Sequence, residues 1–307
     1  MKRLSPKEYC YTMGKYCKPA ITIEPGETVV VETADNTTNR VKKAEDVAVI
    51  PNIKHYNPLS GPIFVQGAQP GDTLAVYIND IKPLTNQGWG GEFPGGLSTV
   101  GDATGSTYLL NELRPITVYI SKVENGMVKI PLKNRELSVP YQPLIGTIGV
   151  APELDSVSPL ISGVHGGNMD SPDITIGNKL FLPVFTEGAL LFVGDVHALQ
   201  SEGEFAGPPL EIAAECTLTI DIVKKTIKWP RIESPDYIMT VGNSCPVDNC
   251  LRIANTEMLY WLRDEYGFIL EDAVYLSSLL FRVRVNTVEN LLSPSVSVMF
   301  PKKYLPR

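Results

Sequence analysis

Ala213-Ala214-Glu215-Cys216-Thr217-Leu218-Thr219-Ile220-Asp221-Ile222-Val223 is the stretch that decides the fold class. In an extended chain successive side chains point to opposite faces, so Cys216, Leu218, Ile220 and Ile222 share one side while Thr217, Thr219, Asp221 and Val223 share the other. One face is apolar and the other mostly polar, which predicts a half-buried β-strand. Similar runs lie at Ile116 to Val123, Met127 to Ile130, Lys179 to Val184 and Leu190 to Val193. Two more start from one signal: Pro25-Gly26-Glu27-Thr28-Val29-Val30-Val31 and Pro70-Gly71-Asp72-Thr73-Leu74-Ala75-Val76. Proline sets φ at the second position of such a turn and glycine accepts positive φ at the third, so each reads as a turn launching a strand. The chain holds 25 Gly and 25 Pro, punctuation suited to many short strands.

Helix is expected only late. From Asp248, a candidate N-cap, Leu251, Ala254, Met258, Trp261 and Leu262 recur at helical steps until Gly267. A second run, Glu271 to Phe281, places Ala273, Leu276 and Leu280 on one face, and a final strand is expected from Phe281 to Val288. This order predicts a β-dominated α+β fold: a multi-stranded β-sandwich or barrel body with a C-terminal helical pair. Residues 1–307 are read as a single β-rich catalytic unit, with subdomains 1–150 and 151–307 as the alternative division. Residues 86 to 107 carry seven glycines with Trp89 and Phe93 and no periodicity, and read as a loop, either a lid or pocket wall or a tolerated surface insertion.

At 307 residues, 43% hydrophobic and 20% charged, the composition is that of a globular protein with a sizeable core. A net charge of −7 without a basic cluster argues against nucleic acid. The longest apolar runs, such as Ala189 to Val193, fall short of the roughly 20 residues that span a bilayer. No apolar leader opens the chain, so a cytoplasmic location is expected, without membrane association. Five scattered cysteines do not suggest a disulfide framework, and Cys245 and Cys250 lack the second ligand pair that a structural zinc needs.

The charge has an address. Residues 161 to 215 hold eight acids (Asp170, Asp173, Glu187, Asp195, Glu202, Glu204, Glu211, Glu215) against one base, Lys179, which accounts for the whole net charge of the chain. His165 and His197 lie in the same stretch. Carboxylates gathered without Lys or Arg repel one another unless a cation or shared protons relieve them, and a divalent metal is the economical solution.

Within that stretch, Gly194-Asp195-Val196-His197 follows an apolar run. If the strand continues, Asp195 and His197 project from one face, and Asp with neutral His is a standard zinc pair. A surface turn in which Asp195 orients His197 is the bland alternative. His165-Gly166-Gly167-Asn168-Met169-Asp170 supplies an imidazole, an amide and a carboxylate beside paired glycines that allow close backbone approach; a plain loop with an Asx-turn explains it as well. Glu202-Gly203-Glu204 puts two carboxylates within reach of one site, or on an ordinary turn. His55 reads as a structural histidine. No H-E-x-x-H, G-x-S-x-G, G-x-x-x-x-G-K-[ST] or post-strand G-x-G-x-x-G occurs.

At these segments the chain resembles the acetamidase/formamidase family. The resemblance is carried by Pro25-Gly26-Glu27-Thr28 with Glu32-Thr33-Ala34-Asp35, Asn57-Pro58-Leu59-Ser60-Gly61-Pro62, Gly67-Ala68-Gln69-Pro70-Gly71-Asp72 and Gly149-Val150-Ala151-Pro152. It continues through His165 to Asp170 and Gly194-Asp195-Val196-His197-Ala198-Leu199-Gln200-Ser201-Glu202-Gly203-Glu204. It implies a β-rich amidase, a homo-oligomer of two or more subunits, that hydrolyses a short aliphatic amide to ammonia and a carboxylate. Val196, Ser201-Glu202 and the segment Phe205 to Glu211 depart from the family pattern, which bears on substrate choice more than on reaction type.

The leading expectation is therefore metal-assisted hydrolysis of a formamide- or acetamide-type substrate, with zinc favoured over calcium. Asp195 and His197 are the first candidates for metal ligands, followed by Asp170 and by Asp35, which enters only through the resemblance. Glu204 is the expected general base. Asn168 with the backbone N–H groups of Gly166 and Gly167 would bind substrate and stabilise the oxyanion, and His165 is a further catalytic candidate. The rivals are a hydrolase of a larger or cyclic amide or a ureide, and a non-catalytic β-rich calcium-binding protein.

Overall fold

The computed structural model describes residues 1–93, 115–289 and 292–306. Among them, two large sheets pack face to face. The nine-stranded sheet runs in the order Lys2–Leu4, Glu27–Thr33, Ala214–Val223, Thr73–Pro83, Lys179–Pro183, Arg231–Glu233, Tyr237–Asn243, Ser295–Pro301 and Arg282–Thr287. The main path of the other sheet is Ser162–Gly163, Gly166–Asn168, Leu144–Val150, Leu191–Leu199, Leu210–Ile212, Gln87–Glu92, Thr117–Glu124, Met127–Leu132 and Arg135–Pro140. Leu59–Val65 also pairs with Leu191–Leu199 and carries Ile21–Ile23 on its far side. Each sheet draws strands from both sides of residue 150.

The alternation in Ala214–Val223 is realised. Cys216, Leu218 and Ile220 are fully buried, whereas the threonines between them are only partly covered. The two Pro-Gly turns, with Gly26 at φ 78° and Gly71 at φ 92°, launch the strands that flank it, both antiparallel to it. Val29, Val31, Leu74, Val76 and Leu218 from this sheet meet Ile63, Ile145, Ile148, Val193 and Val196 from the other in one apolar core. The sandwich thus follows from two apolar faces that must cover each other.

The helical pair is present with shifted ends. The first helix, Val247–Tyr266, is entered from Pro246, so Asp248 lies in the first turn, where it pairs with Arg252; Gly267 closes the helix at φ 70°. The second, Leu270–Ser277, is shorter than its periodicity suggested. The pair packs through Ala254, Met258, Trp261, Leu262 and Ala273 on Ile238, Val298 and Phe300.

Two expectations need correction. The strand after the helices, Arg282–Thr287, is not the last: Ser295–Pro301 follows and inserts between it and Tyr237–Asn243. Its Ser295 and Ser297 are buried, and the Asn286 amide donates to both hydroxyls. Within the glycine-rich stretch 86 to 107, Gln87–Glu92 is a strand, not loop, paired to Thr117–Glu124, while the part beyond residue 93 lies outside the described residues. Among the described residues no helix is long and apolar enough to cross a membrane.

Candidate active site

The site is built on Leu191–Leu199, which lies deep in the sandwich with Leu144–Val150 on one side and Leu210–Ile212 and Leu59–Val65 on the other. Asp195 and His197 project from it, and Asp170 arrives from the turn that follows Gly166–Asn168. Ligand-capable atoms of Asp170, Asp195 and His197 all lie within 4.8 Å of one another, and all three residues are buried. Gly146 on the neighbouring strand makes room for them: a Cβ there would fall 2.7 Å from Asp170 Oδ1 and 2.8 Å from His197 Cε1.

Hydrogen bonds fix how these groups face. Gln200 Nε2 donates to the backbone carbonyls of Asp170 (2.7 Å) and Asn286 (3.2 Å), so its Oε1 is turned to His197 Nδ1 at 2.7 Å. That arrangement places the donor proton on Nδ1 and leaves Nε2 as the ligating atom, a second-layer contact typical of metal-bound histidine. Nε2 lies 3.6 Å from Asp195 Oδ2 and 3.4 Å from Glu211 Oε1. Asp195 Oδ2 accepts from Asn57 Nδ2 (2.7 Å) and the Thr147 hydroxyl (3.1 Å), and Asn168 Nδ2 donates to Asp170 Oδ2 (2.8 Å).

These residues open on a cavity of about 190 Å³, lined also by Asn36, Glu204, Glu211 and Glu289 and rimmed by Tyr56, Phe93, Leu160 and Pro208. Among the described residues no Lys or Arg lines it. Burial pushes the Asp170 carboxyl up to about 7 and that of Glu289 to about 9, the latter with the added charge of Asp170 and Asp195. Glu204 and Glu211 are held well above the ordinary carboxylate range by burial and then by neighbouring acids. Burial works most strongly against a charged His197, but Asp195, Asp170 and Gln200 together outweigh it and raise the imidazole.

The cluster thus has a strong appetite for positive charge. Asp170 Oδ1, Asp195 Oδ1, His197 Nε2, Glu204 Oε2 and Glu211 Oε2 are buried without a hydrogen-bond partner, an unusual concentration of unmet polar atoms. Asn57, Asp170, Asp195 and Glu204 also adopt left-handed backbone, with φ between 45° and 54°. Strain of this kind gathers where function requires a particular aim. Two carboxylates and one unprotonated imidazole nitrogen at this spacing fit a divalent cation, so the group could hold a metal ion.

Not every expected residue comes to the cavity. Asp35 is buried but outside the trio: its Oδ1 accepts from the Thr37 amide, the Thr37 hydroxyl and the Asn39 amide, and it is Asn36 that reaches the cavity wall. Gly166 and Gly167 sit in the sheet between Leu144–Val150 and Ser162–Gly163 and do not line the cavity. Their φ values of 87° and 88° and the approach of the Ile148 and Ile161 carbonyls to 2.6 and 2.2 Å of an added Cβ show that close backbone packing, rather than a ligand, requires glycine there. His165 lies behind the cavity against Gly163 and Gly167, where burial lowers its pKa to about 4. Glu202 turns away from Glu204 to pair with Arg284 at 2.9 Å, so the two acids do not share a site. His55 is exposed, 5.2 Å from the Tyr11 ring.

Sequence reasoning gave no role to Asn57, Gly146, Thr147, Gln200, Glu211 or Glu289. The strand register that pairs His197 with Glu211 would have revealed that acid. Nothing local marks Glu289, which comes from the far side of the helical pair.

The model of the family described as Acetamidase/Formamidase matches residues 16–160 and 156–252. An acetamidase structure from Yersinia enterocolitica superposes with a TM-score of 0.90 at 36% identity, covering 98% of this chain and 91% of that one. One from Bacillus halodurans gives 0.89 at 29%, covering 98% of each. A protein of Schizosaccharomyces pombe whose name assigns it provisionally to the formamidases is 28% identical over 271 residues, 71% of this chain and 65% of its own length. The chain thus spans less than two thirds of that relative.

Proposed function

The chain belongs to the acetamidase/formamidase family, and from that premise we propose that it is an amidase that hydrolyses a small aliphatic amide of the formamide or acetamide kind with the help of a divalent metal ion. The observation that carries this reading is the buried trio Asp170, Asp195 and His197 opening on an acidic cavity whose wall, among the described residues, holds no basic side chain. The trio would hold the ion. An imidazole nitrogen beside two carboxylates suits zinc better than calcium, which prefers six to eight oxygens. When bound, such an ion supplies a Lewis acid for the amide carbonyl and lowers the pKa of water.

The chain's own residues do the rest. Glu204, with an unpartnered buried oxygen, accepts a proton as the water oxygen bonds to the acyl carbon and returns one to the nitrogen as the C–N bond breaks. Amide plus water thus ends as carboxylate plus ammonium. Asn168 spends one N–H on Asp170 and has a second for charge developing on the carbonyl oxygen. Asn57, Thr147 and Gln200 hold Asp195 and His197 in place. A cavity of about 190 Å³ is below the roughly 300–1,000 Å³ of sites for drug-sized ligands and suits a small amide group.

The reading includes a cytoplasmic homo-oligomer. Five free cysteines support a reducing compartment. Exposed Ile269, Val274, Tyr275 and Leu279, and Val283 on the edge strand Arg282–Thr287, support contact between copies. The test is ammonia release from formamide and acetamide before and after complete chelation. Activity is expected to vanish on chelation and return with zinc; undiminished activity in the stripped protein would sink the proposal.

A further inference from the structure

A second hollow, of about 300 Å³, adjoins the acidic cavity, and Glu204 and Pro208 line both. One side is formed by Gln87–Glu92, Thr117–Glu124 and Met127–Leu132, three successive strands of the sheet, and the other by the turn that follows Leu199. Its lining is dominated by apolar groups, including Ile130, Leu132, Leu199, Phe205 and Leu210, and among the described residues contains no Lys or Arg. Gln200 at its edge is already committed to His197 and to two backbone carbonyls. Leu132 and Phe205 are 40% and 55% exposed, so apolar surface lies open beside a buried acid with an unpartnered oxygen. A hollow of this kind matches an uncharged hydrocarbon arm attached to a group that reacts at Glu204.

Resting on the amidase reading, we infer that this hollow receives the acyl chain of the substrate, and that the enzyme prefers primary amides with longer unbranched acyl chains, such as butanamide and hexanamide, over acetamide. The carbonyl and nitrogen occupy the acidic cavity, and the chain passes Pro208 onto Leu199, Ile130, Leu132 and Phe205. The arm belongs to the acyl side because the nitrogen leaves as ammonia and carries no substituent.

The experiment compares kcat/KM for acetamide, butanamide and hexanamide with the metal-loaded enzyme, alongside calorimetric binding of the same amides to the Glu204→Gln protein. For the wild type, kcat/KM should rise about fourfold for each methylene buried, and hexanamide should bind more tightly than acetamide. Leu132→Asp and Phe205→Ser, both at partly exposed positions that tolerate polar groups, should each reduce the hexanamide-to-acetamide ratio about tenfold or more. Acetamide hydrolysis with a flat or falling series, or an unchanged ratio in both variants, overturns the acyl pocket and leaves the amidase reading standing. Tighter hexanamide binding without hydrolysis of any amide supports the pocket and overturns the amidase reading; neither binding nor hydrolysis removes both.

Discussion

Two strands of the sandwich, Ala214–Val223 and Leu191–Leu199, are built on opposite plans. The first alternates buried apolar with partly covered polar residues, is hydrogen-bonded on both sides, and contains no left-handed residue. The second is buried almost throughout, yet carries an aspartate at φ 54° and a histidine amid further buried acids. The local rules that stabilise a sheet are obeyed in the first apart from one register shift against Thr73–Pro83 at Thr217/Leu218, and several are broken in the second. The difference separates a strand that serves the fold from one to which the proposed chemistry is assigned, because strain and uncompensated acid persist only where the surrounding structure holds them in place.

The largest expected effect comes from removing charge at the strained strand. Asp195→Asn keeps a residue that tolerates left-handed backbone but loses the carboxylate. Metal-loaded activity should fall about 10³-fold or more, whereas the metal-free protein should melt no lower than wild type, since one of several mutually repelling buried acids is gone. A large drop in melting temperature without loss of metal would break the comparison from that side. Leu218→Ala on the regular strand is the counterpart: a cost of about 2–5 kcal/mol in denaturant unfolding is expected, with metal stoichiometry unchanged.

Smaller effects sharpen the boundary between the two plans. Gln200→Leu should leave the fold intact and weaken metal binding by about 10–100-fold, measured by competition with a chelating dye, because His197 loses the contact that orients it. His165→Gln probes the layer behind the cavity. With a folded pKa of about 4, below the ordinary 6.5, His165 is buried neutral. Its contribution to stability is therefore complete above about pH 6.5 and is lost as pH falls toward 4. The variant should show a flatter fall in melting temperature over that window while retaining most of its amidase activity; near-complete loss of activity would return His165 to the catalytic group.

Much of this was legible in the chain because it depends on short-range periodicity. The two-residue spacing that put Cys216, Leu218 and Ile220 in the core also brought Asp195 and His197 to one place, and the excess acid between residues 161 and 215 marked the neighbourhood of the cavity. What could not be read were features that arise only from packing. Glu289 joins the cavity from the far side of the helical pair, and Glu202 and Glu204, two residues apart, separate because Arg284 on a distant strand pairs with only one of them. Gly166 and Gly167 carried a true signal with the wrong cause: neighbouring carbonyls require them, not a substrate. Ser295–Pro301 was assigned no element from sequence, and its buried Ser295 and Ser297 are satisfied by Asn286 on the neighbouring strand.

The central claim is that Asp170, Asp195 and His197 form a cation site that the amidase chemistry depends on. Calorimetric titration of zinc into the stripped full-length protein, repeated with Asp195→Asn, tests it most directly. The account predicts tight binding of one ion per chain in the wild type and its loss in the variant. Wild-type protein that takes up no zinc, or a variant that binds it with undiminished affinity, would contradict the account.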